Sequence, residues 1–353
     1  MNNIKKIQAL ITAEDAAGVL LSALTCIRWG CGFTGSNGLL LVTLDEAHLF
    51  TDARYTTQSR EEVTGATVHI APGQLIDSLN TSGCMPDGEV ILQAEHVSIA
   101  QHAQLLKRLG ERNWLPKSRL LEAQMAVKSP AEINFIRKAQ EITDAVFEEI
   151  LSVLKPGTTE REIAAEITYQ HLQRGATKMS FDPIVASGPN GALPHARPSD
   201  RKLQLGDLVV LDFGCFYNGY ASDMTRTVAI GNPSEKAREV YHVVKTAQQN
   251  ALDAASSQMT TKTLDSVARG IIEEAGYGSY FNHSLGHGVG LDIHEWPRVS
   301  WQVDDPLAEN MVITIEPGVY IPGELGVRIE DMVVLKPDGC EVLGHTPKSL
   351  LIL

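Results

Sequence analysis

The sequence predicts an α/β domain over residues 1–124 and an α+β domain with an internal pseudo-twofold over residues 125–353. Three observations predict this fold class. Strand-like and helix-like segments alternate through the first third of the chain, which is typical of a sheet covered by helices. Two helix pairs follow, and each pair precedes a strand-rich stretch. In both stretches an apolar run also ends in a carboxylate. From the repeated helix pairs we expect a duplicated half-unit.

The first domain is assigned from short apolar runs separated by turn residues. Strands are predicted at residues 39–42, 48–51, 67–70 and 90–93. Residues 99–109 repeat their apolar positions at helical spacing and predict a helix. This alternation favours an α/β domain with a largely central sheet.

The second domain follows a boundary at residues 122–129. Ser129, Pro130 and Glu132 indicate a helix start, because serine caps, proline suits the first turn and glutamate completes a capping box. Thr159 begins a second capping box and opens another helix. Two later helices are predicted at residues 234–255 and 264–275.

Composition limits the partners and the compartment. The net charge of −13 argues against a nucleic-acid partner, since such proteins usually present basic surfaces. The five cysteines form no Cys-x-x-Cys pair, which fits a reducing compartment better than a disulfide framework. The N-terminus lacks signal-peptide features, and no apolar run approaches the roughly 20 residues of a membrane helix. We therefore expect a cytoplasmic protein without a membrane partner.

A first predicted hairpin brings two aspartates together. The apolar run 208–211 ends in Asp212, and Asn218 with Gly219 gives a strong hairpin-turn signal. With this turn, Asp212 lies opposite Thr225, and Asp223 lies diagonally on the same face. Two inward carboxylates need a proton, a basic residue or a cation. On this hairpin alone, capped or surface aspartates explain the pattern equally well.

A second hairpin repeats the arrangement with glutamates. The apolar run 312–315 ends in Glu316, and a turn is predicted at residues 322–326. With a loop of odd length, Glu316 and Glu330 fall on one face, and Arg328 shares that face. One such pair would usually be a solvated edge, but two hairpins that each bury a carboxylate pair indicate a site.

Histidines complete the candidate donor set. His283, His287 and His294 lie within twelve residues among several glycines, which allow close backbone approach. His195 precedes the first hairpin and is weak evidence by itself. Four carboxylates and one imidazole suit Mn²⁺, which is our first choice, or Co²⁺ or Fe²⁺, with Zn²⁺ as a further candidate. Because this exceeds the ligands one catalytic ion usually takes, we expect two divalent ions.

These residues resemble the five ligand motifs of the pita-bread metallopeptidases, in the same order and spacing. The motifs are Leu211-Asp212-Phe213-Gly214, Ser222-Asp223-Met224-Thr225-Arg226-Thr227, Gly286-His287-Gly288-Val289-Gly290, Ile315-Glu316-Pro317-Gly318 and Arg328-Ile329-Glu330-Asp331. The segments Gly32-Phe33-Thr34-Gly35-Ser36-Asn37-Gly38 and Thr51-Asp52-Ala53-Arg54-Tyr55 resemble the N-terminal domain of Xaa-Pro aminopeptidases. The resemblance implies a creatinase-like N-terminal domain, a pita-bread catalytic domain and a homodimer.

The resemblance also implies roles for single residues. Asp212 would chelate one ion, His287 and Glu316 the other, and Asp223 and Glu330 would bridge the two. The family's other active-site histidines and its arginine match the following positions: His195, His283, His294 and Arg328.

The activity expected from this resemblance is removal of the N-terminal residue from peptides with proline at the second position. Glu316 would accept a proton from the attacking water, and His294 with His195 would hydrogen-bond the oxyanion. Arg197, a bulky cation beside His195, leaves the substrate preference open. The nearest alternative is an Xaa-Pro dipeptidase (prolidase). A remote alternative is a non-catalytic peptide-binding module, although such proteins typically lose ligands that are all present here.

Overall fold

The computed structural model describes residues 3–110 and 113–353. The chain divides into two compact units, Met1–Met125 and Ala126–Leu353. Within the described residues, no helix combines the length and the apolar character needed to cross a membrane.

The N-terminal unit is built on a mixed sheet flanked by helices. Its strands are β1 (Gly18–Leu21), β2 (Leu39–Thr43), β3 (Ala47–Asp52), β4 (Thr67–Ala71), β5 (Val90–Gln93) and β6 (Trp114–Lys117). Its helices are α1 (Ile4–Ala13), α2 (Leu24–Cys31), α3 (Thr56–Glu62), α4 (Leu75–Thr81), α5 (Ile99–Leu109) and α6 (Glu122–Ala126). The strand order is β4-β3-β2-β1-β5-β6. Neighbours are antiparallel in β1–β2 and β2–β3 and parallel elsewhere, so the predicted central sheet is confirmed.

Apolar burial explains why these segments form a layered domain. Leu105 and Leu109 of α5 pack in one cluster with Leu20, Phe50 and Leu92 from three strands of the sheet. Each of these side chains is less than 10% exposed. Fully burying such a side chain contributes about 1.5–3 kcal/mol, so this contact fixes α5 on its face of the sheet.

The C-terminal unit contains the remaining elements. Its helices are α7 (Pro130–Ile150), α8 (Glu160–Gln173), α9 (Glu235–Ala254) and α10 (Thr261–Glu274). Its strands are β7 (Lys178–Met179), β8 (Ile184–Ser187), β9 (Leu208–Phe213), β10 (Cys215–Tyr217), β11 (Tyr220–Ala221), β12 (Met224–Ala229), β13 (Gly286–Gly288), β14 (Glu295–Val299), β15 (Val312–Ile315), β16 (Gly318–Ile321), β17 (Leu325–Arg328), β18 (Asp331–Lys336) and β19 (Gly339–Val342).

The two halves of this unit follow one plan. Helices α7 and α8 pack against the sheet β12-β9-β8 in one apolar cluster. Helices α9 and α10 pack against strands of the sheet β14-β13-β15-β18-β19 in another. Each half therefore buries the inner face of its sheet under a helix pair. This is the predicted α+β unit with a pseudo-twofold, the pita-bread arrangement.

The caps agree with the sequence expectations except at one helix. Ser129 with Glu132 and Thr159 with Glu162 both form reciprocal capping boxes. Helix α10 begins at Thr261, three residues before the predicted start. The reason is that the Thr260 side chain accepts a hydrogen bond from the Thr263 amide and so caps the helix earlier.

Candidate active site

The first hairpin has the predicted register. Tyr217 pairs with Tyr220 around a turn at Asn218 and Gly219, which have φ of 48° and 77°. Both left-handed values match a type I′ turn, which favours this residue pair. Further along, Asp212 pairs with Thr225. Asp212 and Asp223 are 8% and 4% exposed, so the hairpin buries both carboxylates and does not leave them at the surface.

Close backbone packing explains a glycine in this hairpin. A Cβ atom at Gly214 would lie 1.9 Å from the Ser222 carbonyl oxygen. Any larger residue would push the strands apart next to Asp223. The glycine that follows the Asp212 strand therefore serves the geometry of the carboxylate pair.

The second hairpin places two glutamates opposite each other. Ile315 pairs with Asp331, and Gly318 pairs with Arg328, so Glu316 and Glu330 face each other between the two paired segments. The predicted turn at residues 322–326 was too long. Ile321 pairs with Leu325, which leaves a three-residue loop and places residues 325 and 326 in β17. Both loop lengths are odd, so the predicted common face of the glutamates holds.

His287 joins the two hairpins. Its Nδ1 lies 3.0 Å from the carbonyl of Gly288, so this nitrogen donates and Nε2 keeps its lone pair. Nε2 lies 3.5 Å from Asp223 Oδ2 and 3.4 Å from Glu316 Oε1. A Cβ at Gly286 would lie 2.0 Å from the Thr314 carbonyl oxygen, so the strand carrying His287 approaches its neighbour closely.

Burial and mutual repulsion disfavour the ionised carboxylates. Burial, with the charges of Glu330, Asp212 and Glu316, raises the pKa of Asp223 well above its ordinary value. Burial, with the charges of Glu316 and Asp212, does the same to the pKa of Glu330. Burial raises the pKa of Glu316 to about 8. A cluster of this kind has to hold protons or cations at neutral pH.

The donor set fits divalent cations. Burial, and then the charge of His294, lowers the pKa of His287 to about 4, so the imidazole is neutral at pH 7 and free to ligate. Donor atoms of Asp223, His287 and Glu330 lie within 4.8 Å of one another. Asp212 Oδ1 is buried and has no hydrogen-bond partner among the described residues. Such an oxygen is costly unless a cation or water meets it.

Arg328 is the cation that the structure places in this cluster. Its guanidinium donates to Asp212 Oδ2 at 2.6 Å, to the Tyr320 hydroxyl at 2.7 Å and to Thr225 Oγ1 at 3.0 Å. Thr225 in turn donates to Glu330 Oε2 at 2.6 Å. Arg328 is only 4% exposed, so these bonds are made away from solvent. It therefore connects the two hairpins through one carboxylate of each.

The three remaining predicted histidines take different positions. His283 accepts from the Tyr320 hydroxyl at 3.0 Å, and burial, with the charge of Arg328, lowers its pKa to about 3. The exposed ring of His294 packs against that of His287 with 4.5 Å between centroids. His195 is exposed and lines the same cleft. His283 is thus engaged in holding Tyr320, whereas the other two face open space.

The nine predicted site residues all line one cleft of about 620 Å³. Sequence reasoning missed two residues of the site. Tyr320 fixes Arg328 and His283, and no pattern in the chain marks it. Arg298 lines the cleft and donates to Ser284 Oγ at 2.6 Å. Its position four residues after His294 was the available signal.

A buried glutamate anchors the segment that carries His195. The Glu160 carboxylate accepts from the amide and hydroxyl of Ser187, from the amide and hydroxyl of Ser199, and from the Asn190 side chain, at 2.6–3.1 Å. Burial alone would raise the pKa of Glu160, but the donors from Ser199 and Ser187 outweigh it, and the pKa lies below its ordinary value. Glu160 therefore ties both ends of the segment that contains His195.

Glu160→Gln is expected to lower the free energy of unfolding by about 2–4 kcal/mol, because it removes charge-assisted bonds and turns an amide group toward donors. We also expect a lower kcat, since the segment that carries His195, a donor to the oxyanion, loses its anchor. Urea unfolding and steady-state kinetics measure the two effects. Glu166→Gln on the same helix is the control. Among the described residues, the Glu166 carboxylate accepts a side-chain hydrogen bond only from Gln170, which lies on the same helix. Equal stability of the two variants would contradict the anchoring role.

Comparison with known proteins agrees with this geometry. The sequence profile of metallopeptidase family M24 matches residues 134–337, and the profile of the creatinase/prolidase N-terminal domain matches residues 3–127. An Xaa-Pro dipeptidase of Pyrococcus furiosus is 52% identical over 225 residues, which cover 64% of this chain and 65% of that protein.

Two solved structures superpose along the whole chain. An Xaa-Pro dipeptidase from Bacillus anthracis is 37% identical, with a TM-score of 0.96 and full coverage of both chains. An X-Pro aminopeptidase from Thermotoga maritima is 39% identical, with a TM-score of 0.92 and coverage of 99% of this chain and all of that one. The chain is therefore a peptidase of metallopeptidase family M24, with a creatinase/prolidase N-terminal domain, and the family implies divalent metal ions.

Proposed function

We propose that the chain is an Xaa-Pro dipeptidase that carries two divalent ions, first of all Mn²⁺, on Asp212, Asp223, His287, Glu316 and Glu330. The observation that supports the ligand set is the clustering of three buried carboxylates and the half-buried Glu316 around one neutral imidazole. The dipeptidases of Pyrococcus furiosus and Bacillus anthracis favour this specificity over the aminopeptidase expected from the sequence. The homodimer and the cytoplasmic location stay predictions.

The chain's own residues account for the proton and charge movements of the proposed hydrolysis. When bound, the ions supply Lewis acidity and lower the pKa of a water. Glu316 Oε1 lies 3.4 Å from His287 Nε2, and its carboxylate, ionised in the metal-loaded protein, would take a proton and pass it to the leaving nitrogen of proline. His294 and His195 face the open cleft and hydrogen-bond the carbonyl oxygen as charge develops on it.

Arg328 and Tyr320 act by positioning. Arg328 holds one oxygen of Asp212 and leaves the other, Oδ1, without a hydrogen-bond partner among the described side chains. Tyr320 fixes the guanidinium by accepting from it. With Arg328 so placed, Asp212 presents Oδ1 in one defined direction, which is the requirement for a preorganised ligand.

Cations in the cleft supply the argument for a dipeptide. In an Xaa-Pro dipeptide, proline is the C-terminal residue and carries a free carboxylate. In a longer peptide, the carboxyl group of the same proline forms an amide bond. Arg197 and Arg298 line the cleft and are exposed. Ser284 holds the Arg298 guanidinium by one nitrogen, which leaves the others to pair with a carboxylate.

Arg298→Ala is expected to raise the KM for Gly-Pro roughly tenfold, which corresponds to about 1.4 kcal/mol for a solvent-exposed ion pair with substrate. The KM for Gly-Pro-amide, which lacks the carboxylate, should change much less. Steady-state kinetics on both substrates measures the difference. Arg238→Ala is the matched control, since Arg238 is an exposed arginine on α9, away from the cleft residues. An equal rise on both substrates would argue against carboxylate recognition.

The aminopeptidase remains the second candidate, favoured by the Thermotoga maritima structure. Hydrolysis of Gly-Pro and of an Xaa-Pro-Pro tripeptide by the same preparation separates the two. A dipeptidase cleaves only the first, and efficient cleavage of the tripeptide would replace the proposal with the aminopeptidase. The non-catalytic alternative requires that neither substrate is cleaved when Mn²⁺ or Co²⁺ is added.

A further inference from the structure

Two histidines of the N-terminal unit meet on one face of its sheet. His48 lies on β3 and His69 on the neighbouring parallel strand β4, where His69 pairs with Phe50. Because side chains alternate along a strand, His48 and Phe50 share a face with His69. The Nδ1 atom of His48 lies 3.2 Å from the Nε2 atom of His69. Two imidazole nitrogens thus converge on one point in the domain.

A thiol reaches the same point from another segment. Cys84 follows helix α4, is free and is half-buried. Its sulfur and one nitrogen of each imidazole lie within 4.8 Å of one another. The three donors therefore come from β3, β4 and the stretch after α4, which are held together by packing and not by nearness in the sequence. The catalytic set, in the C-terminal unit, contains no sulfur.

The surroundings of both rings direct the two nitrogens inward. On its other side, His48 Nε2 lies 3.1 Å from Glu46 Oε2. This carboxylate–histidine arrangement is the one that usually orients a metal-binding imidazole and raises its basicity. The His69 ring stacks on Phe50, with centroids 4.5 Å apart and planes 11° apart, which fixes its plane.

We propose that His48, His69 and Cys84 form a second cation site, for a borderline-soft divalent ion such as Zn²⁺, with Glu46 orienting His48. At ~2.0–2.1 Å from a tetrahedral ion, two nitrogens stand roughly 3.4 Å apart, close to the observed separation. A thiolate beside two imidazoles selects Zn²⁺ over the hard ions that suit the carboxylate site. Three protein ligands leave the fourth position to a water molecule.

Binding at this site has two chemical consequences. The Cys84 thiol releases its proton to solvent as the thiolate binds, so affinity rises with pH. An ion bound through His48 Nδ1 and His69 Nε2 would also replace the hydrogen bond between these two nitrogens. An ion held in this way would cross-link the edge strand β4, the segment after α4 and strand β3, and so stabilise the N-terminal unit.

The test uses the full-length, reduced protein with Co²⁺ as a spectroscopic probe. A thiolate ligand gives an intense near-ultraviolet charge-transfer band, which the oxygen- and nitrogen-only catalytic site does not produce. We expect this band in the unaltered chain, its loss in Cys84→Ser and in His69→Ala, and its displacement by Zn²⁺. Cys340→Ser, which alters another half-buried free cysteine, should keep the band. Circular dichroism and peptidase activity check that each variant folds.

Two outcomes would overturn the proposal. One is the absence of the band in the unaltered chain after Co²⁺ has restored peptidase activity. The other is a band that survives Cys84→Ser in a folded, active protein, since the sulfur ligand would then lie elsewhere. As a second measurement, the zinc content of the dialysed protein should fall by about one ion per chain in Cys84→Ser, as the single site requires, and stay constant in Cys340→Ser.

Discussion

Asp212→Asn is expected to lower kcat on the order of a thousandfold while the chain stays folded. The carboxylate gives one oxygen to Arg328 at 2.6 Å and keeps a buried oxygen without a hydrogen-bond partner among the described residues. An amide in this place is a poor ligand and carries no charge, and the loss of several kcal/mol of transition-state stabilisation corresponds to such a factor. Kinetics with saturating Mn²⁺ and metal analysis of the variant measure the effect.

The control for this variant separates catalysis from loss of a buried ion pair. Asp265 is 0% exposed and pairs with Arg269 at 2.6 Å, outside the residues that line the cleft. Asp265→Asn should therefore lose stability as Asp212→Asn does, but retain most of its kcat and its metal content. Full activity of Asp212→Asn in the metal-replete assay would contradict the proposed ligand role.

How far the sequence predicts this site depends on the distance between partners along the chain. The turn at Asn218 and Gly219 fixes the register of the first hairpin, so the pairing of Asp212 with Thr225 follows from residues only a few positions apart. The parity of the second loop likewise places Glu316 and Glu330 together, even though the loop is shorter than predicted. Strand periodicity is a local property, and the structure confirms the faces that it assigns.

Contacts between separate elements cannot be predicted from strand periodicity. Arg328 binds Asp212 across 116 positions of the chain, and Tyr320 joins Arg328 to His283. Alternation shows which face a side chain takes but does not show which other hairpin packs against it. For the same reason, the sequence did not predict that Glu160 anchors the segment that carries His195.

The electrostatic balance of the cluster leads to the last prediction. Four carboxylates, of which three are buried and that of Glu316 is half-buried, face one guanidinium, that of Arg328, so the fully ionised cluster has a formal charge of −3 from these five groups. In the metal-free protein, protons have to supply the compensation, and burial accordingly raises the pKa of Glu316 from 4.5 to about 8. In the loaded protein the ions would supply it. Removing the metal should therefore make stability depend on pH.

The sign of this dependence follows from proton uptake. A carboxylate whose folded pKa is raised stabilises the fold fully below its unfolded pKa, and this contribution is lost as pH rises through the folded pKa. The half-buried histidines His283 and His287, with lowered pKa values, act in the opposite sense below about pH 6.5 and are neutral in both states above it. Between about pH 6.5 and 8, the cluster therefore contributes through its carboxylates alone.

Chelator-treated protein is expected to lose about 2 kcal/mol of unfolding free energy from Glu316 alone between about pH 6.5 and 8, at about 1.4 kcal/mol per pH unit. Asp223 and Glu330, whose pKa values are also raised, should add to the loss. Mn²⁺ should abolish the slope, because cations then replace protons. Urea unfolding across this pH range, with and without Mn²⁺, measures both slopes.

Two variants test whether the carboxylate cluster causes the change of unfolding free energy with pH. Glu316→Gln removes one titrating group, so its metal-free protein should show a shallower decline than the unaltered chain. Glu324 is an exposed glutamate in the same hairpin and forms an ion pair with Lys236. Glu324→Gln should leave the decline in stability unchanged. If the stability of the metal-free protein instead stayed constant as pH rose through this range, the carboxylates would already be ionised in the fold. The compensation would then have to come from the protein's own cations, and the need for bound ions would disappear.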